Sequence, residues 1–568
     1  MPYYIYMLHN DASDVTIPVM YLRTKKVACT QNTVVQLVES YREKGKTKQR
    51  VVRHIGTADS PYKLEQLKWL AKTIKMEQEA QTKQSITKPI YAKRIGRLNR
   101  ITRSEKIDLL HTEASAHLVL GIHDAYGIVY DTLGFSNLFS RPSQRIKAAN
   151  ILREIVFARI ANPSSKRASV ELLNEQFGTQ LNLDNVYQMM DKIDDLFCER
   201  IQRQALSAAI NLTGEKINIL FYDATTLYFE SFTEDDLKQN GYSKDMKFNQ
   251  PQILLALFVT EKGLPIGYEV FPGAMFEGHT LMPILEKLKA NYNIAKVVFV
   301  ADRGMLSEDN LRYLGQNNLD YIISARLKTS KKTLKQEILN WASGLKREIE
   351  EAIYEITLGE NKRLILSYRK SRAQKDKADR EKSIQKLQAR LKRSNNPKQL
   401  ISNYGFQKFI SVEGDARLQI DEDKLRNESI WDGIVGVTTN NFSLSHQAIL
   451  EHYRGLWQIE ESFRINKHDL RIRPVYHWTP RRIRAHIAIA FMAFVCVRHL
   501  EYRVAAQYKK ISPEKIKRSL LRVQASIIRD KQHNKQYLIP LVTNNTAKQI
   551  YRILGIKLPS NVMCLANN

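Results

Sequence analysis

The amino-acid sequence predicts an α/β protein of several domains, built around a mixed sheet with flanking helices. The chain has 568 residues, far more than a single hydrophobic core accommodates. Hydrophobic residues make up 43% of it and charged residues 26%, which are ordinary values for a folded protein. Apolar segments of strand length alternate with helical patterns between residues 213 and 327. This order is typical of a sheet that helices cover.

A strong excess of positive charge predicts a polyanionic partner. The 88 Lys and Arg residues outnumber 59 Asp and Glu residues, which gives a formal net charge of +29 at pH 7. Nucleic acid is the leading candidate, although a ribosome-associated or merely very soluble protein would also be basic. The four cysteines are too scattered for a C-x-x-C metal pattern, and this predicts a reducing, intracellular compartment.

No membrane segment or secretory signal is predicted. The most apolar run, residues 487–497, has about half of the ~20 residues that a membrane-spanning helix needs, and basic residues flank it. We interpret this run as a core helix. The N-terminal segment lacks the basic region followed by an apolar region that marks a secretory signal.

Residues 1–103 are predicted to form a small β-hairpin region followed by a helix. The segments VVQLVESYRE and RVVRHIG alternate as strands do, and the basic segment GKTKQ between them is a turn. Apolar residues then recur at helical spacing from Tyr62 to about Gln78. The basic character of this region makes DNA binding its predicted role. Residues 1–19 show no clear periodicity.

Residues 104–212 are predicted to form an α-helical domain. Helical periodicity dominates here, and two helical patterns flank Gly178, with the second beginning near Asp184. This arrangement fits a helix-turn-helix that reads DNA, but a plain helical bundle is the more frequent explanation of such a pattern.

Residues 213–327 are predicted to form the first part of a catalytic core. The order is three strands, a helix, a strand, a helix and a strand, which is compatible with a ribonuclease H-like mixed sheet and with several other α/β folds. Asp223 closes the strand INILFY and Asp302 closes the strand KVVFVA. A carboxylate at the end of a buried strand is a common metal ligand, but it also commonly caps a turn or a helix.

Residues 328–440 are predicted to be a charged, β-rich insertion. Between Arg369 and Lys398, twelve Lys or Arg residues face only three acidic ones. Such a run is either a solvated helix face or a surface for a phosphate backbone. Trp431, in the predicted strand ESIWDGIVGV, is either a core residue or a ring that stacks on a flipped base.

Residues 441–510 are predicted to complete the core with a helix that carries a glutamate. At ~100° per residue, four positions share one stripe of this helix: Tyr453, Leu456, Glu460 and Lys467. Apolar neighbours partly shield Glu460, which is costly for a carboxylate without a compensating cation, whereas Glu461 is expected to face solvent. An amphipathic helix whose glutamate pairs with Lys467 or Arg464 fits the same pattern.

Three carboxylates from two strands and a helix would hold two divalent cations: Asp223, Asp302 and Glu460. Oxygen ligands favour Mg²⁺, for which Mn²⁺ can substitute, over zinc. Such an ion pair activates a water or a 3′-hydroxyl for attack on a phosphodiester and stabilises the leaving oxygen. The thirteen histidines form no zinc-binding helix pattern.

The three acidic segments resemble those of insertion-sequence DDE transposases, in particular the insertion-sequence-four superfamily. The family's first motif, an Asp followed two positions later by Thr, is similar to residues 223–225, and its second is similar to residues 302–304. Its third motif is Y-x2-R-x3-E-x6-K. Three of its four positions match at the stated spacing: Tyr453, Glu460 and Lys467.

One position departs from the third motif, because Leu456 stands where the family has arginine. Arg454 or Arg464 is a candidate for the missing phosphate contact. The resemblance implies that Tyr453 and Lys467 contact the phosphates next to the scissile bond, as a hydroxyl donor and a point charge. The remaining implied DNA-binding positions are Thr225 and Arg303, and Arg303 alternatively pairs with its own neighbours.

The resemblance implies a bacterial transposase that binds terminal inverted repeats, cleaves the element ends and joins the 3′-hydroxyl to target DNA. It also implies a homodimer on DNA, with residues 511–568 as a helical dimerisation region, in the cytoplasm and associated with the nucleoid. Two other functions remain open. One is an inactive DNA-binding derivative that acts as a repressor or inhibitor, and the other is a ribonuclease H-type nuclease that cleaves without joining.

Overall fold

The computed structural model describes most of the chain. The described ranges are 19–27, 32–43, 46–83, 98–100, 111–139, 142–215, 217–230, 233–241, 249–292, 297–302, 307–346, 348–393, 409–413 and 417–565. Arg303 lies outside them, and so do residues 1–18.

The N-terminal region is a three-stranded antiparallel sheet with one helix packed on it. Its elements are β1 (Val19–Lys26), β2 (Thr33–Glu43), β3 (Lys46–Ala58) and α1 (Pro61–Lys83). The predicted hairpin and helix are confirmed, and β1 adds a third strand that pairs with β2 along its whole length. Leu67 and Leu70 of α1 are buried in the core that also contains one face of the large sheet described below.

A helical region follows. Its elements are β5 (Thr112–Val119), α2 (Gly121–Thr132), α3 (Pro142–Ala161), α4 (Lys166–Phe177), α5 (Leu183–Met190) and α6 (Asp195–Thr213), and β4 (Leu98–Arg100) precedes them. The predicted pair of helices around Gly178 is confirmed, because α4 ends at Phe177 and α5 begins at Leu183, capped by the side chain of Asn182.

A mixed sheet of eight strands forms the centre of the molecule. From one edge to the other its order is β11-β12-β15-β10-β9-β6-β7-β8. Five of these strands and two helices come from the predicted core: β6 (Ile219–Tyr228), β7 (Gln252–Thr260), β8 (Pro265–Pro272), α7 (Leu281–Tyr292), β9 (Val298–Ala301), α8 (Glu308–Gln316) and β10 (Asp320–Ser324). This order of elements is the predicted one. β6, β7 and β8 are antiparallel neighbours, while β9 is parallel to both β6 and β10.

The segment predicted as a β-rich insertion extends this sheet and also contains a long helix. Its elements are α9 (Lys332–Gly344), β11 (Glu351–Thr357), β12 (Arg363–Arg369), α10 (Lys370–Arg393), β13 (Ile410–Glu413), β14 (Arg417–Ile420), α11 (Glu422–Ser429) and β15 (Ile434–Thr439). β12 pairs with β15, which pairs with β10 of the core. Most of the basic run predicted from Arg369 to Lys398 is the helix α10. Trp431 lies in the turn before β15 and not in the strand that the sequence predicts.

The segment predicted as one helix with a glutamate is broken into three pieces. They are α12 (His446–Arg454), α13 (Trp457–Arg464) and a π-helical turn (Ile465–Asp469). Gly455 and Leu456 separate the first two pieces, so Tyr453 and Glu460 do not share a continuous helix. The π turn changes the angular position of Lys467 relative to α13, because it has more residues per turn than an α-helix.

A long buried helix packs on the face of the sheet opposite to the N-terminal region. This helix, α14 (Pro480–Gln507), contains the predicted core helix 485–500 and contributes most of its apolar residues to the main core. Within the described part of the chain it alone is long and apolar enough to cross a membrane, and 94% of its most apolar window is buried inside the protein.

The C-terminal segment differs from the predicted helical region. It contains α15 (Pro513–Leu521), β16 (Gln524–Asp530), β17 (Lys535–Pro540), α16 (Asn545–Leu554) and β18 (Met563–Leu565). Its strands form a five-stranded sheet in the order β4-β18-β17-β16-β5. Because β4 and β5 lie hundreds of residues earlier, this pairing brings the C-terminal segment against both regions that precede the core. A local pattern cannot reveal such a partner.

Candidate active site

Asp223 and Asp302 lie at adjacent positions on two parallel strands. The register of β6 and β9 pairs Tyr222 with Ala301. Each aspartate is the next residue after one of these two, so the aspartates lie side by side. Neighbouring strands are about 4.8 Å apart. Asp302 comes directly after the end of β9, as predicted, and is exposed. Asp223, in contrast, lies in the middle of β6, because this strand continues to Tyr228 through its pairing with β7.

The glutamate segment, which consists of α12, α13 and the π turn, packs over the face of β6 that carries Asp223. Side chains alternate along a strand, so Phe221, Asp223 and Thr225 point to the same face. The hydroxyl of Thr225 accepts a hydrogen bond of 2.6 Å from Nζ of Lys467. At the other side of Asp223, the ring of Phe221 lies against Gly455. Along β6, the two contacted residues lie on either side of Asp223. Along the other segment, α13 lies between the two residues that make the contacts, Gly455 and Lys467.

Gly455 permits this close approach because it has no side chain. A Cβ atom at this position would lie 2.4 Å from Cζ of Phe221, far inside van der Waals contact. Leu456 follows it, half-buried and packed against the main core. The leucine at the motif's arginine position is therefore a packing residue at the start of α13.

A buried ion pair on α14 is hydrogen-bonded to the glutamate segment. The guanidinium of Arg498 donates to Oε2 of Glu501 at 2.6 Å, to the carbonyl of Gly263 at 2.8 Å and to Oε1 of Gln458 in α13 at 3.4 Å. Gly263 sits in the turn between β7 and β8 with a positive φ of 74°, a conformation that favours glycine. One buried arginine thus connects α13, α14 and the sheet.

The two neighbouring glutamates of α13 have the reverse of their predicted exposures. Glu460 is exposed, whereas Glu461 is half-buried and pairs with Arg464 at 3.4 Å. The buried stripe of α13 consists of Ile459, Ser462 and Phe463, and this stripe leaves Glu460 on the open side. Among the described residues, no three His, Cys, Asp or Glu side chains are grouped closely enough to form a metal site.

A large cavity opens beside Asp302. Its volume is about 980 Å³, and its wall includes Asp302, Tyr453 and Glu277 from the core side. The insertion supplies the opposite wall, where Trp431 is half-buried and ion pairs join Arg380 to Asp432 and Lys328 to Glu428. Glu277 belongs to a short 3₁₀ turn, and the sequence pattern offered no reason to select it.

The two arginines considered as substitutes for the motif arginine both form ion pairs. Arg454 donates to Oε1 of Glu351 in β11 at 2.6 Å. Arg464 lies 3.4 Å from Glu461 and 3.6 Å from Asp469. These pairs are partly exposed, and exposed ion pairs contribute only about 0–1 kcal/mol, so a phosphate can compete for either arginine.

Thr225 is 5% exposed. Its hydroxyl accepts the hydrogen bond from Lys467, and its direct contact with DNA stays a prediction.

Two family models match the chain. Residues 214–496 match the transposase DDE domain, and residues 22–85 match the N-terminal domain of IS1634 family transposases. Asp223, Asp302, Glu460, Tyr453 and Lys467 all fall within the first match. A comparison with curated proteins finds no match.

Similarity to solved structures is distant. A piggyBac transposase synaptic complex with hairpin DNA is 12% identical, with a TM-score of 0.35. The alignment covers 71% of this chain and 79% of the piggyBac chain. A Mos1 transposase paired-end complex with the left transposon end is 13% identical, with a TM-score of 0.14. The alignment covers 32% of this chain and 60% of the Mos1 chain. The two family models, in contrast, together span more than half of the chain, and the match to the N-terminal domain precedes the match to the DDE domain. The protein belongs to the DDE transposases of insertion sequences, in the IS1634 family.

Proposed function

We propose that this transposase binds the terminal inverted repeats of its element, cleaves the ends and joins each 3′-hydroxyl to target DNA. The observation that carries the proposal is the packing of the Lys467 segment over the face of β6 that holds Asp223, beside Asp302 on the parallel neighbour. The strand order, with three antiparallel strands followed by two parallel strands connected through helices, supports a ribonuclease H-like core.

Asp223, Asp302 and Glu460 are the proposed ligands of two Mg²⁺ ions, with Mn²⁺ as a substitute. The donor chemistry fits, because hard divalent cations prefer carboxylate oxygens and all three side chains are carboxylates. The three carboxylates do not lie close enough together in this structure to share an ion, so metal binding would have to draw them together. Bound divalent cations would supply activation of the attacking hydroxyl and charge compensation at the leaving oxygen. The exposure of Glu460 leaves its carboxylate accessible from the open side of α13.

Tyr453 and Lys467 are the proposed contacts to the phosphates that flank the scissile bond. Tyr453 lines the cavity beside Asp302, where its hydroxyl can donate to a phosphate oxygen. Lys467 supplies a positive charge whose position is held by Thr225. Arg454, Arg464 and Arg303 are proposed to contribute further contacts to the DNA backbone.

The outer regions are proposed to bind DNA and to assemble the complex. Residues 1–103 and 104–212 are the proposed DNA-binding and DNA-end-binding regions, and the protein is proposed to act as a homodimer because two element ends need two active sites. Residues 511–568 are proposed to contribute to dimerisation. We propose the bacterial cytoplasm, in association with the nucleoid, as the place of action.

The first test is strand transfer with the natural DNA. We expect the purified protein, incubated with Mg²⁺ and the DNA that flanks its own coding sequence, to yield cleaved ends and joined products. A chelator should remove both products while DNA binding persists. Nicked DNA without joined products would instead favour a nuclease, and binding without any cleavage would favour an inactive DNA-binding derivative.

A second test concerns Lys467. Replacing a charged donor near a developing phosphate charge typically costs a factor of about 10²–10³, so Lys467→Met should slow cleavage by about a hundredfold. The affinity for DNA should change little, since the protein carries many other cations. Gel assays of cleavage and binding on the same labelled end measure both quantities.

Thr225→Val is the matched control, because it removes the acceptor of the 2.6 Å hydrogen bond but keeps the charge of Lys467. Its effect should be smaller than that of Lys467→Met. Equal cleavage rates for Lys467→Met and the unmodified protein would contradict the proposed phosphate contact.

A further inference from the structure

A second cavity, distinct from the one beside Asp302, is lined by cationic side chains. Its volume is about 550 Å³, and it lies between the end of α3, the first turn of α4, the loop after the π turn and α14. Five Lys or Arg residues line it: Arg159, Lys166, Arg167, Arg471 and Arg473. Among the described residues that line it, none is an aspartate or a glutamate.

Two of these cations are buried, which is unusual without an acidic partner. Lys166 is 3% exposed and Arg159 is 4% exposed. Nζ of Lys166 lies 3.5 Å from Nδ1 of His486, and Arg159 donates to the carbonyl of Arg471 at 3.1 Å. Both contacts are to neutral groups, whereas buried Lys and Arg side chains are ordinarily paired with carboxylates. An anion in the cavity would provide the missing negative charge.

The pKa values of two side chains that line the cavity are consistent with positive charge that lacks a negative partner. Burial, followed by the charge of Arg159, holds the pKa of Lys166 well below its usual value. Burial, together with the charges of Lys166 and Arg159, lowers the pKa of His477 to about 3, so this histidine is neutral at pH 7. The N-terminus of α4, a helix of 12 residues, adds partial positive charge at the same wall.

Exposed aromatic rings beside the cavity indicate what carries the anion. Tyr476, which lines the cavity, is 57% exposed, and Trp478, two residues further along, is 70% exposed. Large exposed aromatic side chains next to a cationic groove are typical of nucleic-acid binding, because they pack against bases and sugars. A free phosphate ion would not require them.

We propose that this cavity holds one backbone phosphate of bound DNA, with Lys166 as its buried counter-charge and with Tyr476 and Trp478 against the adjoining nucleotides. The guanidinium of Arg473 lies 5.1 Å from the ring centre of Tyr228, the last residue of β6. At ~3.3 Å per strand residue, Tyr228 is about 16 Å from Asp223, so one duplex can reach both places. The inference rests on the proposed function only for the identity of DNA as the phosphate source.

The test uses Lys166→Met in the full-length protein. Methionine keeps the length of the side chain and removes its charge, and Lys548→Met, at an exposed position of α16, is the matched control. The probes are inorganic phosphate, compared with chloride at equal ionic strength in a thermal unfolding assay, and a labelled duplex of the flanking DNA in a salt titration. Arg167→Gln, at an exposed position of the cavity, repeats the test if Lys166→Met does not fold.

We expect phosphate to raise the unfolding temperature of the unmodified protein and of Lys548→Met, but not of Lys166→Met. The slope of log K against log salt for DNA binding should fall by about 1 in Lys166→Met, as expected for one lost phosphate contact. Trp478→Ala should weaken DNA binding about tenfold and leave the phosphate effect unchanged, because stacking adds roughly 1–3 kcal/mol per base.

Two results would overturn the proposal. If Lys166→Met abolishes the phosphate effect but leaves the DNA affinity and its salt slope unchanged, the cavity binds a free phosphate and not DNA. If phosphate has no effect on the unmodified protein and the slope does not change, the cavity is not an anion site. Neither measurement requires strand cleavage, so failure of the proposed chemistry would be seen separately in the joining assay.

Discussion

Replacing any one of Asp223, Asp302 and Glu460 with its amide is expected to abolish strand cleavage and joining while DNA binding is retained. An amide keeps the size of the carboxyl group but removes the negative charge that holds a divalent cation. Loss of a metal ligand removes several kcal/mol of transition-state stabilisation, which corresponds to a rate decrease of about 10³-fold or more. Cleavage assays with Asp223→Asn, Asp302→Asn and Glu460→Gln measure this directly.

Glu461→Gln is the matched control, since Glu461 is the next residue of the same helix and its carboxylate pairs with Arg464. We expect this variant to cleave within a few-fold of the unmodified protein. Full activity in Glu460→Gln together with a large loss in Glu461→Gln would reassign the third ligand to Glu461. Full activity in all three amide variants would remove the proposed metal site altogether.

The order of elements in the core was predictable because each strand is apolar enough to be identified locally. β7 is buried at every position and β6 at most of its positions, since helices cover both faces of this part of the sheet. The length of β6 was not predictable in the same way. Asp223 interrupts the apolar run and resembles a strand end, but its pairing with β7 carries the strand five residues further.

The candidate site was predicted in part. The spacing of Tyr453, Glu460 and Lys467 placed them on one continuous helix, whereas the structure has a break at Gly455 and a π turn that contains Lys467. The reason lies in tertiary packing, because Gly455 lies against Phe221 of a strand more than two hundred residues earlier. The exposures of Glu460 and Glu461 were reversed for a related reason, as the contact between α13 and the sheet selects the buried stripe.

The cationic cavity around Lys166 cannot be predicted from a local pattern, because its residues come from four separate stretches of the chain. Arg159 and Lys166 read as ordinary members of amphipathic helices, and Arg471 and Arg473 read as part of a basic segment after the glutamate motif. A weak signal is present in that segment, where Tyr476 and Trp478 lie between Arg473 on one side and Arg481 on the other. Basic residues interleaved with aromatic ones are a general indication of nucleic-acid contact.

A second large effect is expected from Arg498→Met, which should lower the free energy of unfolding by about 3–5 kcal/mol because it leaves the carboxylate of Glu501 buried without a partner. Arg498 is 6% exposed and Glu501 is 4% exposed. Burial already raises the pKa of Glu501 above its ordinary value, with Arg498 acting in the opposite direction. Because Arg498 also holds Gln458 of α13 and the carbonyl of Gly263, the cleavage rate should fall as well. Chemical denaturation and the cleavage assay measure the two losses.

The pH dependence distinguishes an unpaired charge from simple loss of packing. A group whose pKa is raised in the folded state is more easily accommodated when protonated, so the destabilisation of Arg498→Met should shrink as the pH falls from about 8 to about 5. The double variant Arg498→Met with Glu501→Gln has no carboxyl group to titrate there and should recover much of the stability at neutral pH.

Arg312→Met provides the comparison for an exposed pair, since Arg312 lies 3.5 Å from Asp309 with both side chains largely exposed. Its effect should stay within about 0.5 kcal/mol. If Arg498→Met is no more destabilising than Arg312→Met, the buried pair does not support the glutamate segment. If stability falls as expected but Glu501→Gln restores the fold without restoring cleavage, then the contact of Arg498 with Gln458 positions α13 for the reaction, independently of the stability that the ion pair provides.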